Sequence, residues 1–190
     1  NPAVDGGFTP LFVACQYGHF DVARLLVEAS AAIDQAAADG ATPLLIACQQ
    51  GHVECVQLLR GAGADIDQAT QDGFTPLLVA SQQGRLEIAR LLLEAGAAID
   101  QARQNGVTPL FIACLKGHLE CAQLLLEARA AVNQAEESGA TPLYVACEKG
   151  HLEIAQLLVK ARAAVDQAEE NGFTPLHIAC QKFHLECARL

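Results

Sequence analysis

The stretch Gly40-Ala-Thr-Pro-Leu-Leu-Ile-Ala-Cys-Gln-Gln-Gly-His52 contains most of what decides the fold. Gly40 suits a turn with positive φ, and Thr42 is placed to cap the amino end of a helix whose first residue is Pro43. Apolar residues follow with helical spacing up to Gly51, where the absence of a side chain lets the chain reverse. The sequence therefore predicts a turn, a short helix and a second turn within this stretch.

A second short helix is predicted directly after it. Glu54 lies in the first turn of this helix, where its charge is favourable to the helix dipole. An apolar stripe is formed by Val53, Val56, Leu58 and Leu59. Each helix should be about nine or ten residues long, less than the roughly 12 to 15 that a helix needs to be stable alone in water. Neighbouring helices must therefore supply the stability.

The pattern repeats along the whole chain. The tripeptide Thr-Pro-Leu begins at six positions that are all 33 residues apart, Thr9, Thr42, Thr75, Thr108, Thr141 and Thr174. A period between 20 and 50 residues indicates a stacked array of structural repeats. We predict one domain over residues 1–190, with units of approximately 4–36, 37–69, 70–102, 103–135, 136–168 and a partial 169–190.

The quoted motif and the order of turn, helix, turn and helix resemble the ankyrin repeat, and the resemblance covers essentially all 190 residues. It implies an all-α, ankyrin-repeat solenoid of stacked antiparallel helix pairs with β-turn fingers. It also implies a concave groove that binds other proteins, without an enzymatic activity, a cofactor or a metal.

Composition excludes several other classes of protein. The formal net charge of −10 counts against nucleic acid and anionic lipid as partners. No apolar run approaches the roughly 18 residues of a membrane span. The eight cysteines lie in apolar segments without the spacing of a zinc site. They are interpreted as small buried residues in a reducing compartment, which places the protein inside the cell, in the cytoplasm.

A cysteine and a histidine four residues apart, such as Cys48 and His52, recur in five of the six units. A catalytic dyad or half of a metal site would need further ligands or an orienting group brought to one place. Five copies at the same position favour a scaffold role instead. The cysteine is expected in a tight buried slot, and the imidazole is expected to stabilise the turn into the second helix.

Some positions depart from the repeat pattern. Gly63 and Gly96 end their second helices, whereas the same position is Ser30, Arg129 or Arg162 elsewhere. Each replacement would cost about 1 kcal/mol if the backbone there is left-handed. Phe183 replaces the glycine that ends the other first helices, so strain or rearrangement is expected at that turn.

The fingertips and the exposed face of each first helix are predicted to bind the partner. In the amino-terminal half the candidates are Tyr17, Gln49, Gln50, Phe74, Gln82 and Gln83. In the carboxyl-terminal half they are Val107, Leu115, Lys116, Glu137, Glu148, Lys149, Glu170, Phe173 and Lys182. Five of these are predicted to be exposed apolar anchors: Tyr17, Phe74, Val107, Leu115 and Phe173. The recurring lysines should form a cationic ladder beside acidic fingertips, which suits a protein or peptide of mixed charge.

Two other interpretations remain open. The chain can be a structural spacer or tether of a larger protein without a dedicated ligand, because the glutamine-rich groove is nearly uniform. It can also be an engineered repeat array, although designers normally remove oxidisable thiols.

The two ends of the array form a separate expectation. Neither end carries a polar cap, so we expect a segment of a longer array and self-association through the uncapped ends. Asn133 stands where other units have aspartate, and the family resemblance implies that such an asparagine can be hydroxylated.

Overall fold

The computed structural model describes residues 6–190, so the first two residues of the predicted 4–36 unit lie outside the described residues. The described chain contains helices and turns and no strand. It divides into two compact units, with the boundary between Ala98 and Ile99. The helices come in pairs, as the repeat predicts, and one pair falls within each predicted repeat. The assignment of residues 1–190 to a single domain stays a prediction.

The first unit contains three helix pairs. The first helices are α1 (Pro10–Gln16), α3 (Pro43–Gln50) and α5 (Pro76–Gln82), and the second helices are α2 (Phe20–Glu28), α4 (Val53–Gly61) and α6 (Leu86–Glu94). Each first helix contacts its own second helix, and α3 and α4 contact the corresponding helices of the pairs on both sides. The three pairs therefore form two layers, one of first helices and one of second helices.

The second unit repeats this arrangement. Its first helices are α7 (Pro109–Lys116), α9 (Pro142–Lys149) and α11 (Pro175–Gln181), and its second helices are α8 (Leu119–Glu127), α10 (Leu152–Lys160) and α12 (Leu185–Ala188). Here α9 contacts both α7 and α11, and α10 contacts both α8 and α12. The first helices have seven or eight residues, slightly fewer than predicted, because the turn begins a residue or two earlier. No helix among residues 6–190 has the length and apolar character needed to cross a bilayer.

Threonine caps begin all six first helices, as the sequence predicts. In the second repeat the Thr42 side-chain oxygen accepts a hydrogen bond from the Leu45 N–H at 3.1 Å, and Pro43 occupies the first turn. Five of the six threonines are buried, so the hydroxyl satisfies a helix N–H that water cannot reach. At Thr174 the His177 ring also accepts a hydrogen bond from the cap N–H.

The predicted fingers are tight hydrogen-bonded turns. In the second repeat Ala37 N–H donates to Ala41 O at 2.8 Å, and Gly40, with φ +88°, donates to Ala37 O at 2.9 Å. Neighbouring fingers of one unit are joined by a backbone hydrogen bond, such as Gln71 N–H to Asp39 O at 3.0 Å. Asp67, two repeats before Asn133, adds a similar bond, because its Oδ1 accepts a hydrogen bond from the Ala98 N–H at 2.9 Å. These bonds fix the fingers relative to one another within each unit.

The backbone at these helix ends is left-handed, so the condition for the strain is met. Ser30, Arg129 and Arg162 have φ of 60°, 70° and 65°, the conformation that glycine adopts at the equivalent Gly63 and Gly96. Phe183 also has φ of 60°, and its side chain is 86% exposed. The chain therefore keeps the turn geometry and accepts strain where a side chain replaces glycine.

The predicted buried slot of the first helices is occupied as expected in five repeats. Its residues Cys15, Cys48, Ser81, Cys114 and Cys147 are buried. Cys180 is exposed, which corrects the prediction for the last repeat. It lies on α11, and no helix pair follows α12 within the described residues to cover this face. All eight cysteines are free thiols.

Large apolar side chains are exposed on the first and last helix pairs. Val22 and Leu25 on α2 are 50% and 61% exposed, and Leu176 on α11 is 54% exposed. The equivalent internal residues Cys55 and Leu143 are buried. These exposures agree with the expected absence of polar caps, and self-association through the ends stays a prediction.

Candidate functional site

A cleft of about 490 Å³ opens in the first unit between the fingers and the first helices. Its apolar side is formed by seven residues, Phe8, Phe12, Ala41, Leu45, Ile46, Phe74 and Val79. Phe12 and Leu45 are the third residues of α1 and α3. Because both helices begin at the equivalent proline, these two side chains point in the same direction. The cleft volume lies within the roughly 300 to 1,000 Å³ of typical ligand sites.

Polar side chains complete the lining. They are Gln16, Gln49, Gln82 and Gln83 from the helices, and Asp39, Thr70 and Asp72 from the fingers. Gln16 follows Phe12 by four residues and Gln49 follows Leu45 by four, so each amide shares a helix face with an apolar residue one turn before it. The arrangement can bury an apolar group and hydrogen-bond to polar atoms beside it.

The acidic side of the cleft consists of two finger aspartates, and one of them is held by a hydrogen bond within its turn. Asp39 Oδ1 accepts a hydrogen bond from the Ala41 N–H at 3.0 Å, while the residue as a whole remains exposed. Asp72 occupies the same position one repeat later and is also exposed. These two aspartates are the acidic side chains among the described lining residues.

The cleft brings together four of the six residues predicted in the amino-terminal half, Gln49, Phe74, Gln82 and Gln83. Tyr17 lies elsewhere: it is 63% exposed, and its ring stacks on His19 with centroids 6.0 Å apart. Gln50 is exposed and lies outside the cleft lining.

The candidate list missed Phe8, Phe12 and the two aspartates. Phenylalanine directly before Thr9, Thr75 and Thr174 is a periodic signal in the sequence that could have identified the aromatic side of the cleft.

Most predicted residues of the second unit are accessible. The exposed ones are Lys116, Glu137, Lys149, Glu170, Phe173 and Lys182, and the half-buried ones are Leu115 and Glu148. Val107 is buried, with 7% of its surface exposed, which corrects the prediction that it is an exposed anchor. Ala41 and Ala140 at the same finger position are buried as well. This position closes the turn, and only the larger phenylalanine side chain extends beyond it, as in Phe173 at 38% exposure.

Two of the four glutamates in the fingers of the second unit have a local structural role. Glu136 Oε1 accepts hydrogen bonds from the Ser138 and Ala140 N–H groups and from the Ser138 hydroxyl. Glu169 closes its own finger in the same way, and the hydrogen bond from the Asn171 N–H is the main reason that its pKa lies below the usual value. The adjacent Glu137 and Glu170 are the exposed members of each pair.

The predicted ladder contains a local ion pair. Lys149 Nζ lies 3.1 Å from Glu148 Oε2, so these two predicted residues partly neutralise each other. Burial raises the pKa of the Tyr144 hydroxyl, and the carboxylates of Glu169 and Glu148 raise it further. Lys149 is therefore not an isolated positive charge on this face of the second unit.

The repeated cysteine and histidine have separate roles. Burial raises the pKa of the Cys48 and Cys114 thiols well above the usual range, which keeps them protonated and poorly nucleophilic. His52 Nε2 donates to the Gln16 carbonyl oxygen of the preceding repeat at 3.2 Å and makes no side-chain cap at its own helix. The expectation that this imidazole stabilises its own turn is therefore corrected: the ring joins neighbouring repeats.

The His52 ring packs closely against Gly18 of the preceding repeat, which explains why this position is glycine. A Cβ on Gly18 would lie 2.5 Å from the His52 ring, and the φ of Gly18 is +69°.

Within residues 6–190, no group of three or more histidine, cysteine or acidic side chains is placed to hold a metal ion.

Comparison with known families gives a match over the full length. The family model for ankyrin repeats (3 copies) matches residues 1–70, 58–136 and 128–190, three overlapping stretches that together span the chain. None of the curated proteins matches the chain.

Proposed function

Because the chain belongs to the ankyrin repeat family, whose members are generally protein–protein interaction modules, we propose that it is a non-enzymatic scaffold that binds a partner protein or peptide. The binding surface in each unit is the exposed face of the first helices together with the fingertips. The observation that carries the proposal is the cleft of the first unit, which combines an apolar side with amide and carboxylate groups.

Rigidity supports this use of the surface. The caps, the bonds between fingers and the imidazole contacts hold cleft residues from three successive repeats at fixed spacing. A preorganised surface loses little conformational entropy when a partner binds. The reduced thiols support a cytoplasmic location, and the net charge of −10 disfavours nucleic acid and anionic membranes as partners.

A spacer without a dedicated ligand is the alternative, because glutamine occupies the same groove position in Gln16, Gln49 and Gln82. A photo-crosslinking amino acid placed at Gln49 separates the two functions. As a matched control, the same amino acid at Gln57 occupies an exposed position on α4, outside the cleft. In the source cell, a binding module should give one stoichiometric crosslinked protein from position 49 and little from position 57. Equal and diffuse crosslinking from both positions would favour the spacer.

For the second unit, replacing both Lys149 and Lys182 with glutamate should weaken binding of the crosslinked partner. Each exposed charge contributes about 0.2 to 1 kcal/mol, so the loss of both should raise the dissociation constant roughly twofold to thirtyfold. The melting temperature should stay within about 2 °C, since both side chains are exposed. Lys160→Glu provides a charge-changing control at the end of α10, away from the first helices. An unchanged dissociation constant for the double variant would remove the lysines from the binding surface.

A further inference from the structure

We propose that Cys147 and Cys187 of the second unit are a modification site, a pair of thiols that a peroxide oxidises to a disulfide between the fifth and sixth helix pairs. The inference is independent of the proposed binding function. Three observations carry it: the contact between the two thiols, the cleft that both of them line and the recurrence of the same pair in the first unit.

The two thiols lie on different helix pairs and contact each other. Cys147 is on α9 and Cys187 is on α12, and a hydrogen bond joins their side chains. Their exposed fractions are 3% and 6%, so the contact is held inside the packed second unit. Two thiols in hydrogen-bond contact are neighbours, and only a small movement of side chains and helices separates them from the roughly 2 Å length of an S–S bond.

An open cleft of about 200 Å³ gives small molecules access to this pair. Cys147 and Cys187 both line it, and much of its apolar wall is formed by Leu143, Val159 and Leu176. A water molecule takes up about 30 Å³ of liquid, so the cleft has room for hydrogen peroxide, which has one oxygen more. Because an apolar wall disfavours charged groups, an uncharged oxidant of this size enters more readily than an ionic one.

The same pair recurs four repeats earlier, at Cys15 on α1 and Cys55 on α4. A hydrogen bond joins these two thiols as well. Cys48 and Cys114 lie at the same first-helix position, but isoleucine occupies the position of the second thiol in the repeat that follows each of them. The contact is therefore a property of two equivalent positions, and the buried Cys48 and Cys114 are internal controls for the reactivity of a pair.

The environments of the two thiols assign their roles. Burial, together with the neighbouring Cys187, raises the pKa of the Cys147 thiol to about 12. Burial also raises the pKa of the Cys187 thiol, but the hydrogen bond with Cys147 opposes this rise. The thiolate is the reactive form of cysteine. Cys187 is therefore the group that attacks the oxidant, and Cys147 is the group that completes the disulfide.

Disulfide formation balances with one molecule of hydrogen peroxide. The Cys187 thiolate attacks a peroxide oxygen, the O–O bond breaks, and Cys187 sulfenic acid and hydroxide form. The hydroxide takes up the proton that Cys187 released and becomes water. The Cys147 sulfur then attacks the Cys187 sulfur, so that the S–S bond forms, the S–O bond breaks and the hydroxyl leaves with the Cys147 proton as a second water. The two thiols supply the two electrons that reduce the peroxide.

The test uses the full chain with Cys180→Ser, since the exposed Cys180 thiol would otherwise form disulfides between molecules. The folded protein is treated with hydrogen peroxide at about pH 8, which raises the thiolate fraction. It is then unfolded, alkylated and mapped by mass spectrometry. We expect the first disulfide to join Cys147 and Cys187, while Cys48 and Cys114 remain reduced. A thiol reductant should restore both thiols of the pair.

Two variants each replace one thiol with a residue that the array already accepts at the equivalent position. Cys147→Ser copies Ser81, which is buried and whose hydroxyl donates to the Leu77 carbonyl oxygen at 2.8 Å. Cys187→Ile copies the buried Ile154. In each variant the remaining thiol should form no disulfide within the chain.

Thermal unfolding shows whether the disulfide forms within the folded arrangement. Oxidation should raise the melting temperature by roughly 5 to 10 °C, because a crosslink between helix pairs restricts the unfolded chain. Neither variant should show this rise, and both should give the circular dichroism spectrum of the parent protein.

Three results would overturn the inference: a different disulfide that forms first, loss of the Cys48 and Cys114 thiols at the same rate as the pair, or a melting temperature that does not rise on oxidation. The second result would mean that general opening exposes all the cysteines. The third would mean that the disulfide forms outside the folded arrangement. The crosslinking from Gln49 reports on the proposed function separately, so the two failures are distinguishable.

Discussion

Replacing Leu59 with alanine should lower the free energy of unfolding by about 2 to 5 kcal/mol, the range for deleting a buried leucine side chain and leaving a cavity. Leu59 lies on α4 in the middle helix pair of the first unit and has no exposed surface. Its helix has nine residues and depends on the pairs on either side for stability. Loss of packing at this residue therefore weakens two interfaces between repeats as well as one helix.

Urea unfolding followed by far-ultraviolet circular dichroism measures this effect. Leu25→Ala makes the same chemical change on α2, where the side chain is 61% exposed, and should lower the free energy by no more than about 0.5 kcal/mol. A smaller slope of free energy against urea in the Leu59 variant would indicate that the first unit unfolds separately. Equal midpoints for the two variants would contradict the packing argument.

Much of the fold could be predicted because its determinants are local and periodic. The cap at Thr42 involves a residue three positions away, so the tripeptide fixes the helix start wherever it occurs. The left-handed turns at Arg129 and Arg162 could be predicted because glycine occupies the same position in other repeats. A period of 33 residues then extends each local result along the chain.

The candidate site could be predicted only in part, because it depends on contacts between repeats. The partner of the His52 ring is a carbonyl 36 residues earlier, which no local pattern indicates. Phe74 and Val107 share a finger position, yet Phe74 is half-buried whereas Val107 is buried. Glu136 and Glu137 are both acidic, but hydrogen bonds hold Glu136 within its turn while Glu137 is exposed. Side-chain size and turn chemistry therefore decide which members of a repeated position face a partner.

Replacing both Arg129 and Arg162 with glycine should raise the free energy of unfolding by about 1 to 2 kcal/mol. Both residues are exposed and have positive φ, so a side chain there costs roughly 1 to 2 kcal/mol. Glycine removes this strain but adds freedom to the unfolded chain, which offsets about half of the gain. At the equivalent Gly63 an added Cβ would meet no atom within 4 Å, so the effect at this position comes from the backbone rather than from packing.

The same substitution at a helical residue supplies the control, with the opposite sign. Arg90 is exposed within α6, where glycine is about 1 kcal/mol less favourable than a good helix former, so Arg90→Gly should lower the free energy of unfolding. Urea titrations of the wild type, the Arg129 and Arg162 double variant and Arg90→Gly provide the comparison. If glycine destabilises the chain at all three positions, side-chain contacts of Arg129 and Arg162 outweigh their backbone strain, and left-handed geometry is not what limits stability at these turns.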